Sequence, residues 1–239
     1  MSEDKKSSYE SIGYMGMPGE RAGQSGREVP GQSAPAAERP EMRLEARQQT
    51  VAPAPAASVG RTVIMGPGSY VSPMASVQGD VQLGEQVFVA PGASIRGDTG
   101  ARIYIGNQSN VQDGAVVHAL PDRSVAVGGR PYAVYVGQRV SLAHQVLLHG
   151  PVAIGDDVFV GFRVMVVNSV IGKGCVIWHG AVISDVEIPD GRLVPAGAII
   201  DTPERARALA VASTQLKEFA ASVVRDNRRY AQEYSAQQR

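Results

Sequence analysis

The chain has 239 residues, of which 44% are apolar, enough to bury the core of one large domain or of two small ones. Lys+Arg and Asp+Glu both number 23, and this balance argues against nucleic acid and anionic membranes as partners. A single cysteine, Cys175, excludes an intrachain disulfide framework and a multi-cysteine metal site. Any bound metal must therefore use histidine or carboxylate ligands.

The first segment, residues 1–60, is rich in Ser, Gly, Pro and Ala and shows no hydrophobic period. This composition predicts a disordered or weakly structured N-terminal extension. The N-terminus lacks the apolar core of a secretory signal, and no run of about 18 apolar residues occurs anywhere in the sequence. We therefore expect a cytoplasmic protein that has no membrane partner.

The second segment, residues 61–201, carries an aliphatic residue at nearly every sixth position. Neither a helical period of about 3.6 residues nor the alternation of a simple strand produces that spacing. The spacing predicts an all-β fold, a parallel β-helix of hexapeptide repeats, whose coils of about 18 residues stack about 4.8 Å apart. Cys175 falls on one of the small positions of the repeat, which predicts core packing rather than a redox role. The repeated aliphatic positions are Val77, Leu83, Val89, Ile95, Ile105, Val111, Val117, Val136, Leu142, Leu148, Ile154, Val160, Val166, Ile171, Ile177 and Ile183.

The last segment, residues 202–239, changes to a helical pattern. Thr202 is suited to cap a helix that has Pro203 at its first position, and a second helix is expected to start near Ser213. Its apolar stripe predicts packing on the β-helix. Asn227 falls on that stripe, so its amide must either bond to nearby backbone or face a polar site. The stripe consists of Leu216, Phe219, Ala220, Val223, Tyr230, Ala231 and Tyr234.

The repeat also predicts which polar side chains share a column along the β-helix. Two insertions interrupt the period, four residues between Ile95 and Ile105 and thirteen residues around 119–133. Once these are allowed for, Arg96, His118 and His149 fall in one column, one coil apart. Asp113 and His144 fall in a second column on a neighbouring face, with Gln112 beside Asp113.

Two stacked imidazoles, His118 and His149, can converge on one metal ion but supply only two ligands. His144 points away from them. If three β-helices pack about a threefold axis, however, the His118/His149 face of one copy can meet His144 of the next. Three neutral imidazoles without a thiolate are typical of a catalytic zinc site with an open position, and Fe2+ or Co2+ accepts the same ligands.

Three further polar side chains have simpler interpretations. Arg96 and Asp98 are expected to form an interface ion pair that orients the metal-bearing face. His179 is expected to be a solvent or interface residue, because its column is predicted to hold no other candidate ligand.

Several motifs along this chain resemble those of the γ-class carbonic anhydrases and of the homologous N-terminal domain of the cyanobacterial carboxysome scaffold protein. The likeness extends roughly over residues 61–234. The motifs are Arg96-Gly-Asp98, Ile103-Tyr-Ile105-Gly106, Ser109-Asn110-Val111-Gln112-Asp113-Gly114, His118-Ala119, Ser141-Leu-Ala-His144, His149-Gly150-Pro151, Glu187-Ile-Pro-Asp-Gly and Val194-Pro-Ala-Gly-Ala.

The resemblance implies a left-handed β-helix, a homotrimer, and a metal bound by His118 and His149 of one subunit and His144 of the next. It implies reversible hydration of CO2 to bicarbonate, with Gln112 hydrogen-bonded to the metal-bound hydroxide. Further roles are implied for four more residues: Arg96 and Asp98 pair across the interface, Asp113 lies beside the site, and Asn227 reaches the CO2 pocket from the C-terminal helix.

The sequence departs from the family in the residues associated with proton export. Thr99 stands where the first of two glutamates is expected, and residues 119–133 contain Asp122 but no glutamate. Catalysis is therefore expected to be slow or to depend on buffer as the proton acceptor. The single cysteine also excludes the C-terminal disulfide switch of some carboxysomal relatives.

Two other functions fit the same pattern. The chain could be a weakly active or inactive scaffold or binding module, with residues 1–60 tethering it to the shell or an enzyme of a carboxysome-like microcompartment. It could also be a hexapeptide-repeat acyltransferase, a class that shares the β-helix but lacks the three histidines. Metal content separates the acyltransferase from the other two.

Overall fold

A computed structural model describes residues 63–237 and the two strand residues 42–43. The predicted extension, residues 1–60, lies outside the described part of the chain except for Met42 and Arg43. These two residues form a short strand, which the sequence did not predict.

The described residues form short strands followed by two helices. In chain order the strands are β1 Met42–Arg43, β2 Ile64–Met65, β3 Tyr70–Val71, β4 Ser76–Gly79, β5 Val81–Leu83, β6 Phe88–Val89, β7 Ser94–Gly97, β8 Arg102–Ile105, β9 Asn110–Val111, β10 Val116–Ala119 and β11 Val125–Val127. They continue with β12 Arg130–Val136, β13 Ser141–Leu142, β14 Leu147–Ile154, β15 Phe159–Val160, β16 Met165–Ile171, β17 Val176–Ile177, β18 Val182–Ser184, β19 Glu187–Ile188, β20 Leu193–Val194 and β21 Ile199–Ile200. The helices are α1 Pro203–Arg207 and α2 Thr214–Gln237.

The strands build three faces, and within each face neighbouring strands run parallel. The first, here the helix face, is a seven-stranded sheet in the order β20-β17-β15-β13-β9-β6-β3. The second, the histidine face, stacks β4, β7, β10, β14, β16, β18 and β21, and the third, the hairpin face, stacks β2, β5, β8, β12, β14, β16 and β19. The long strands β14 and β16 turn the corner between the last two faces. The predicted left-handed parallel β-helix with a C-terminal helix is confirmed.

The repeated aliphatic residues fill the axis of the β-helix. Ile95, Val117 and Leu148 are register partners on successive strands, and all three have no exposed surface. Val77 in the first coil is only partly buried. Cys175 lies in the same core, as expected, and burial raises the pKa of its thiol to about 11.

Apart from the two insertions, the coils shorten from 18 to 17 residues toward the C-terminal end of the β-helix. Leu148 pairs with Val166, 18 residues on, but Val166 pairs with Ile183, 17 residues on. The missing residue lies between Val166 and Ile171, where the inward positions are five rather than six residues apart. Columns from Ile171 to Ile183 are therefore shifted by one residue relative to a strict repeat, and a second five-residue step, from Ile183 to Ile188, shifts the later columns by two.

The thirteen-residue insertion, predicted as a loop, forms a β-hairpin on the hairpin face. Its strands β11 and β12 pair antiparallel and are joined at Gly128 and Gly129, both of which have positive φ. The other edge of β11 pairs antiparallel with β1, in the register Met42 to Val127.

The two helices follow the last coil. The side chain of Thr202 accepts a hydrogen bond from the backbone N–H of Arg205 and caps α1. Helix α2 packs on the helix face and buries Ala220, Val224, Asn227 and Ala231. Phe219, a member of the predicted stripe, packs its ring on Phe159 and Trp178 of the β-helix but stays 37% exposed, and Val224, outside the predicted stripe, is buried. Neither described helix combines the length and the apolarity that crossing a bilayer would require.

Candidate metal centre

Two histidines lie side by side on the histidine face, in the column that the spacing predicts. His118 of β10 and His149 of β14 are direct register partners. Their ring centroids are 5.7 Å apart and the planes meet at 66°. Parallel pairing of adjacent strands fixes this separation, because it brings side chains on neighbouring strands of one face to about the inter-strand distance.

Arg96 and Asp98 both contact His118. Nη2 of Arg96 lies 3.0 Å from Nε2 of His118, and Oδ1 of Asp98 lies 2.9 Å from the same nitrogen. Nε of Arg96 is also 3.4 Å from Oδ2 of Asp98. Arg96 and Asp98 therefore pair with each other within one chain, and both lie beside Nε2 of His118. The hydroxyl of the next residue, Thr99, is buried and has no hydrogen-bond partner within the described residues.

The third histidine belongs to a different column. His144 follows β13 and Asp113 follows β9, at the corner where the helix face turns into the histidine face. Oδ2 of Asp113 lies 3.1 Å from Nδ1 of His144, so these two residues share a column as the spacing predicts. Among residues 42–43 and 63–237 no three His, Cys, Asp or Glu side chains come close enough to hold a metal. One chain thus brings His118 to His149 and His144 to Asp113, but not the three imidazoles together.

A pocket of about 390 Å³ lies between the corner and α2. It brings together four of the predicted site residues: Gln112, Asp113, His144 and Asn227. The rest of its wall is largely aromatic, and the sequence did not predict which residues would form this wall. Those lining residues are Tyr70, Phe88, Ala90, Pro91, Tyr230 and Tyr234.

The two amides of the pocket have defined hydrogen bonds. Nε2 of Gln112 donates to Oδ1 of Asn110 at 2.9 Å, and Nδ2 of Asn110 donates to Oγ of Ser141 at 2.9 Å. All three residues are buried. Nδ2 of Asn227 donates to the backbone oxygen of Val223 at 2.9 Å, so the buried amide bonds to backbone and also faces the pocket, the two alternatives that the sequence left open.

The expectation for the column of His179 is wrong. Phe162 and His179 continue the column of Asp113 and His144, because the strands before them are register partners of β13. The ring of Phe162 stacks on His144 and on His179. The five-residue step between Val166 and Ile171 places His179 there, and subtracting it from the spacing would have found the column. Burial lowers the pKa of His179.

Comparisons with known proteins agree with the motifs in the sequence. No family model matches the chain. It is 44% identical over 126 residues to the carboxysome assembly protein CcmM of Synechococcus elongatus, a match to 52% of this chain and 23% of the relative. It is also 44% identical over 117 residues to a carbonic anhydrase of Methanosarcina thermophila, a match to 45% of this chain and 47% of the relative.

The chain thus spans less than half the length of these curated relatives. Among solved structures, a hexapeptide transferase family protein from Anaplasma phagocytophilum matches with a TM-score of 0.60 and 20% identity, over 73% of this chain and 94% of that one. At that identity the likeness shows the fold alone. The two sequence matches confirm the resemblance to the γ-class carbonic anhydrases and to the homologous domain of the carboxysome scaffold protein.

Proposed function

We propose that the chain catalyses the reversible hydration of CO2 to bicarbonate at metal sites shared between the copies of a homotrimer. The observation that carries the proposal is the register pairing of His118 with His149, with His144 held by Asp113 at the adjoining corner. His144 and His149 lie in the same coil, and a threefold axis parallel to the β-helix would keep equivalent coils at the same height. His144 of one copy can then meet His118 and His149 of the next.

An outward apolar stripe on the histidine face supports this association. Val116, Leu147 and Met165 are register partners on β10, β14 and β16 and flank the two histidines. Val116 and Met165 are 38% and 39% exposed in the single chain. A second copy that covers the stripe removes this apolar surface from water and brings its own side chains to the histidine column.

The donor set fits Zn2+, with Fe2+ or Co2+ as alternatives. Two imidazoles are adjacent within one chain, and the third must come from another copy, because no described group of three donors exists in one chain. Zinc bound by three imidazoles keeps an open position and lowers the pKa of a bound water toward neutrality, an effect for which carbonic anhydrases are the standard example.

Arg96 and Asp98 must change partners when such a site assembles. In the single chain they occupy the neighbourhood of Nε2 of His118. A guanidinium and a metal ion cannot share that nitrogen, so Arg96 would have to turn away for His118 to hold a metal there. A pair formed between Arg96 and Asp98 of adjoining copies would free the nitrogen and orient the metal-bearing face.

The pocket beside His144 supplies positions for CO2 and for the nucleophile. The buried hydrogen bond to Asn110 occupies the amide nitrogen of Gln112, and the carbonyl oxygen of Gln112 is then the atom that accepts a hydrogen bond from the nucleophile and orients it. The rings of Tyr70 and Phe88 give an apolar wall suited to CO2. Asn227 faces the same space and presents a neutral amide to the CO2 oxygens.

Proton export is the weak step of the proposed reaction. Thr99 cannot accept a proton near neutral pH, and the hairpin insertion, residues 119–133, has Asp122 but no glutamate. We expect buffer to carry the proton away, so turnover should rise with the concentration of an imidazole buffer at constant pH.

The alternative is a scaffold or binding module with little or no turnover, favoured by the 44% identity to a carboxysome assembly protein. In that alternative the trimer and its metal hold the assembly together, and residues 1–60 bind a microcompartment partner. Trimer formation and metal content are expected in both cases. Only CO2 hydration separates them, and an acyltransferase would lack the metal.

Subunit mixing tests the proposal. His144→Ala and the double variant His118→Ala/His149→Ala should each be inactive in stopped-flow CO2 hydration. When the two are unfolded together and refolded, every mixed trimer regains one of its three sites, because one variant supplies the histidine pair and the other supplies His144. Restored activity and zinc in the mixture support shared catalytic sites. Restored zinc without activity supports the scaffold, and no restored zinc contradicts shared sites.

A further inference from the structure

Three rings stack along the corner column, from His144 through Phe162 to His179. The ring centroids of His144 and Phe162 are 5.3 Å apart with planes at 28°, and those of Phe162 and His179 are 4.3 Å apart with planes at 7°. The first separation lies within the range of attractive aromatic pairs, and the second is slightly shorter. One ring comes from each of three successive coils, because β13, β15 and β17 pair in register.

The lower part of the stack is fixed by the backbone. The N–H of Phe162 donates to Nδ1 of His179 at 3.0 Å. A Cβ at Gly161 would lie 2.7 Å from that same nitrogen, so only glycine allows the ring to approach this closely. Burial lowers the pKa of His179 and so favours the neutral ring, which is the form that can accept this bond.

His144 is held on two sides. Oδ2 of Asp113 contacts Nδ1, and Phe162 covers one face of the ring. His144 is half exposed and follows a strand of only two residues, so these two contacts limit the rotation of its imidazole. Contact between Nδ1 and a carboxylate favours the tautomer whose Nε2 is free to bind a metal.

We propose that Phe162 is a positioning residue, which holds the imidazole of His144 in the orientation that ligates the shared metal, with His179 and Gly161 supporting Phe162 from below. This role rests on the proposed function. His144 is the single ligand that its copy offers to the neighbour, and a ligand offered across an interface binds well only if it is already oriented.

Cobalt titration of the full-length, metal-free trimer tests the role. Phe162→Leu keeps bulk and apolarity but removes the flat ring, and Phe162→Tyr keeps the ring. Phe219→Leu is the matched control, a half-exposed phenylalanine whose ring packs on Phe159 and Trp178. The visible Co2+ spectrum reports ligand geometry, and competition with a chelator reports affinity.

We expect Phe162→Leu to weaken Co2+ binding by about 10-fold or more and to change the spectrum, as loss of a ligand-orienting contact does. Phe162→Tyr and Phe219→Leu should match the wild type. Equal binding by Phe162→Leu and the wild type overturns the role of Phe162 alone. A wild type that binds no Co2+ overturns the proposed function, and the positioning role with it.

A second measurement covers a Phe162→Leu protein that does not assemble. With 13C-labelled histidine and no metal, the Phe162 ring should shift the His144 proton resonances upfield, and Phe162→Leu should remove that shift. An unchanged His144 resonance in the variant contradicts the stack, whatever the state of assembly.

Discussion

The two halves of the proposed centre are positioned by different means. His118 and His149 stand on paired strands, and backbone hydrogen bonds of the sheet set their separation. His144 stands at a corner, and its orientation depends on side chains, namely Asp113 beside Nδ1 and Phe162 over the ring. The strand half is therefore sensitive to backbone spacing, and the corner half is sensitive to the side chains around it.

The largest effect on the strand half is expected from Gly150→Ala. A Cβ there would lie 2.1 Å from the backbone oxygen of Ala133 and 2.8 Å from Cβ of Ala119. Neither neighbour can move without shifting β12 or β10, so we expect a loss of about 3 kcal/mol in the free energy of unfolding, at the upper end for overpacking. His149 should also leave its register with His118. Urea unfolding measures the first effect and zinc affinity the second.

Gly129→Ala is the matched control for that prediction. Gly129 has φ +72 and nothing within 4 Å of an added Cβ, so only left-handed strain is introduced, at a cost of about 1 kcal/mol. Equal losses in the two variants would mean that the close approach at Gly150 has no structural importance.

The corner half should respond to Asp113→Ala. Without the carboxylate, neither the tautomer nor the rotation of His144 is fixed on that side, and we expect zinc affinity to fall by about 10- to 100-fold while the melting temperature stays close to that of the wild type. Asp157→Ala is the control, since both carboxylates are 56% exposed and Asp157 pairs with Arg139 away from the histidines. If the two variants lose the same affinity, the contact between Asp113 and His144 does not orient the ligand.

The same contrast explains how far the sequence could predict the site. The column of His118 and His149 followed from residue spacing because inward aliphatic residues lock each strand in register. The thirteen-residue insertion ends in a bulge between Tyr132 and Val134, and the strands pair in register again beyond it. Asp113 and His144 followed for the same reason. The roles of Gln112 and Asn227 came from the resemblance to a family, since spacing alone does not say which side chains face a pocket.

What the sequence did not reveal depends on single residues. One residue fewer between Val166 and Ile171 moved His179 into the column of His144. The stack on Phe162 further requires the absence of a side chain at Gly161, which shows only when coils are placed in three dimensions. The strand at Met42–Arg43 carries no period of its own and depends on the free edge of β11.

The smallest effect concerns pH and again separates the two halves. Burial lowers the pKa of His179 below its ordinary value of about 6.5, so the unfolded chain takes up a proton at a pH where the folded chain does not. The stability from neutral His179 is complete above about pH 6.5 and is lost as the pH falls toward the lowered folded-state pKa. His179→Gln cannot titrate, so its free energy of unfolding should fall less between about pH 7.5 and about pH 5.5 than that of the wild type.

Urea unfolding at the two pH values gives the fall in the free energy of unfolding with pH, here the pH slope, for each protein, and the two slopes are compared. The other three histidines are present in both proteins, so the difference isolates His179. Because His179 supports Phe162, and Phe162 contacts His144, acid should loosen the corner half at a pH where the register of His118 with His149 is intact. Equal slopes would mean that His179 can be protonated without cost and does not support the stack as a neutral acceptor.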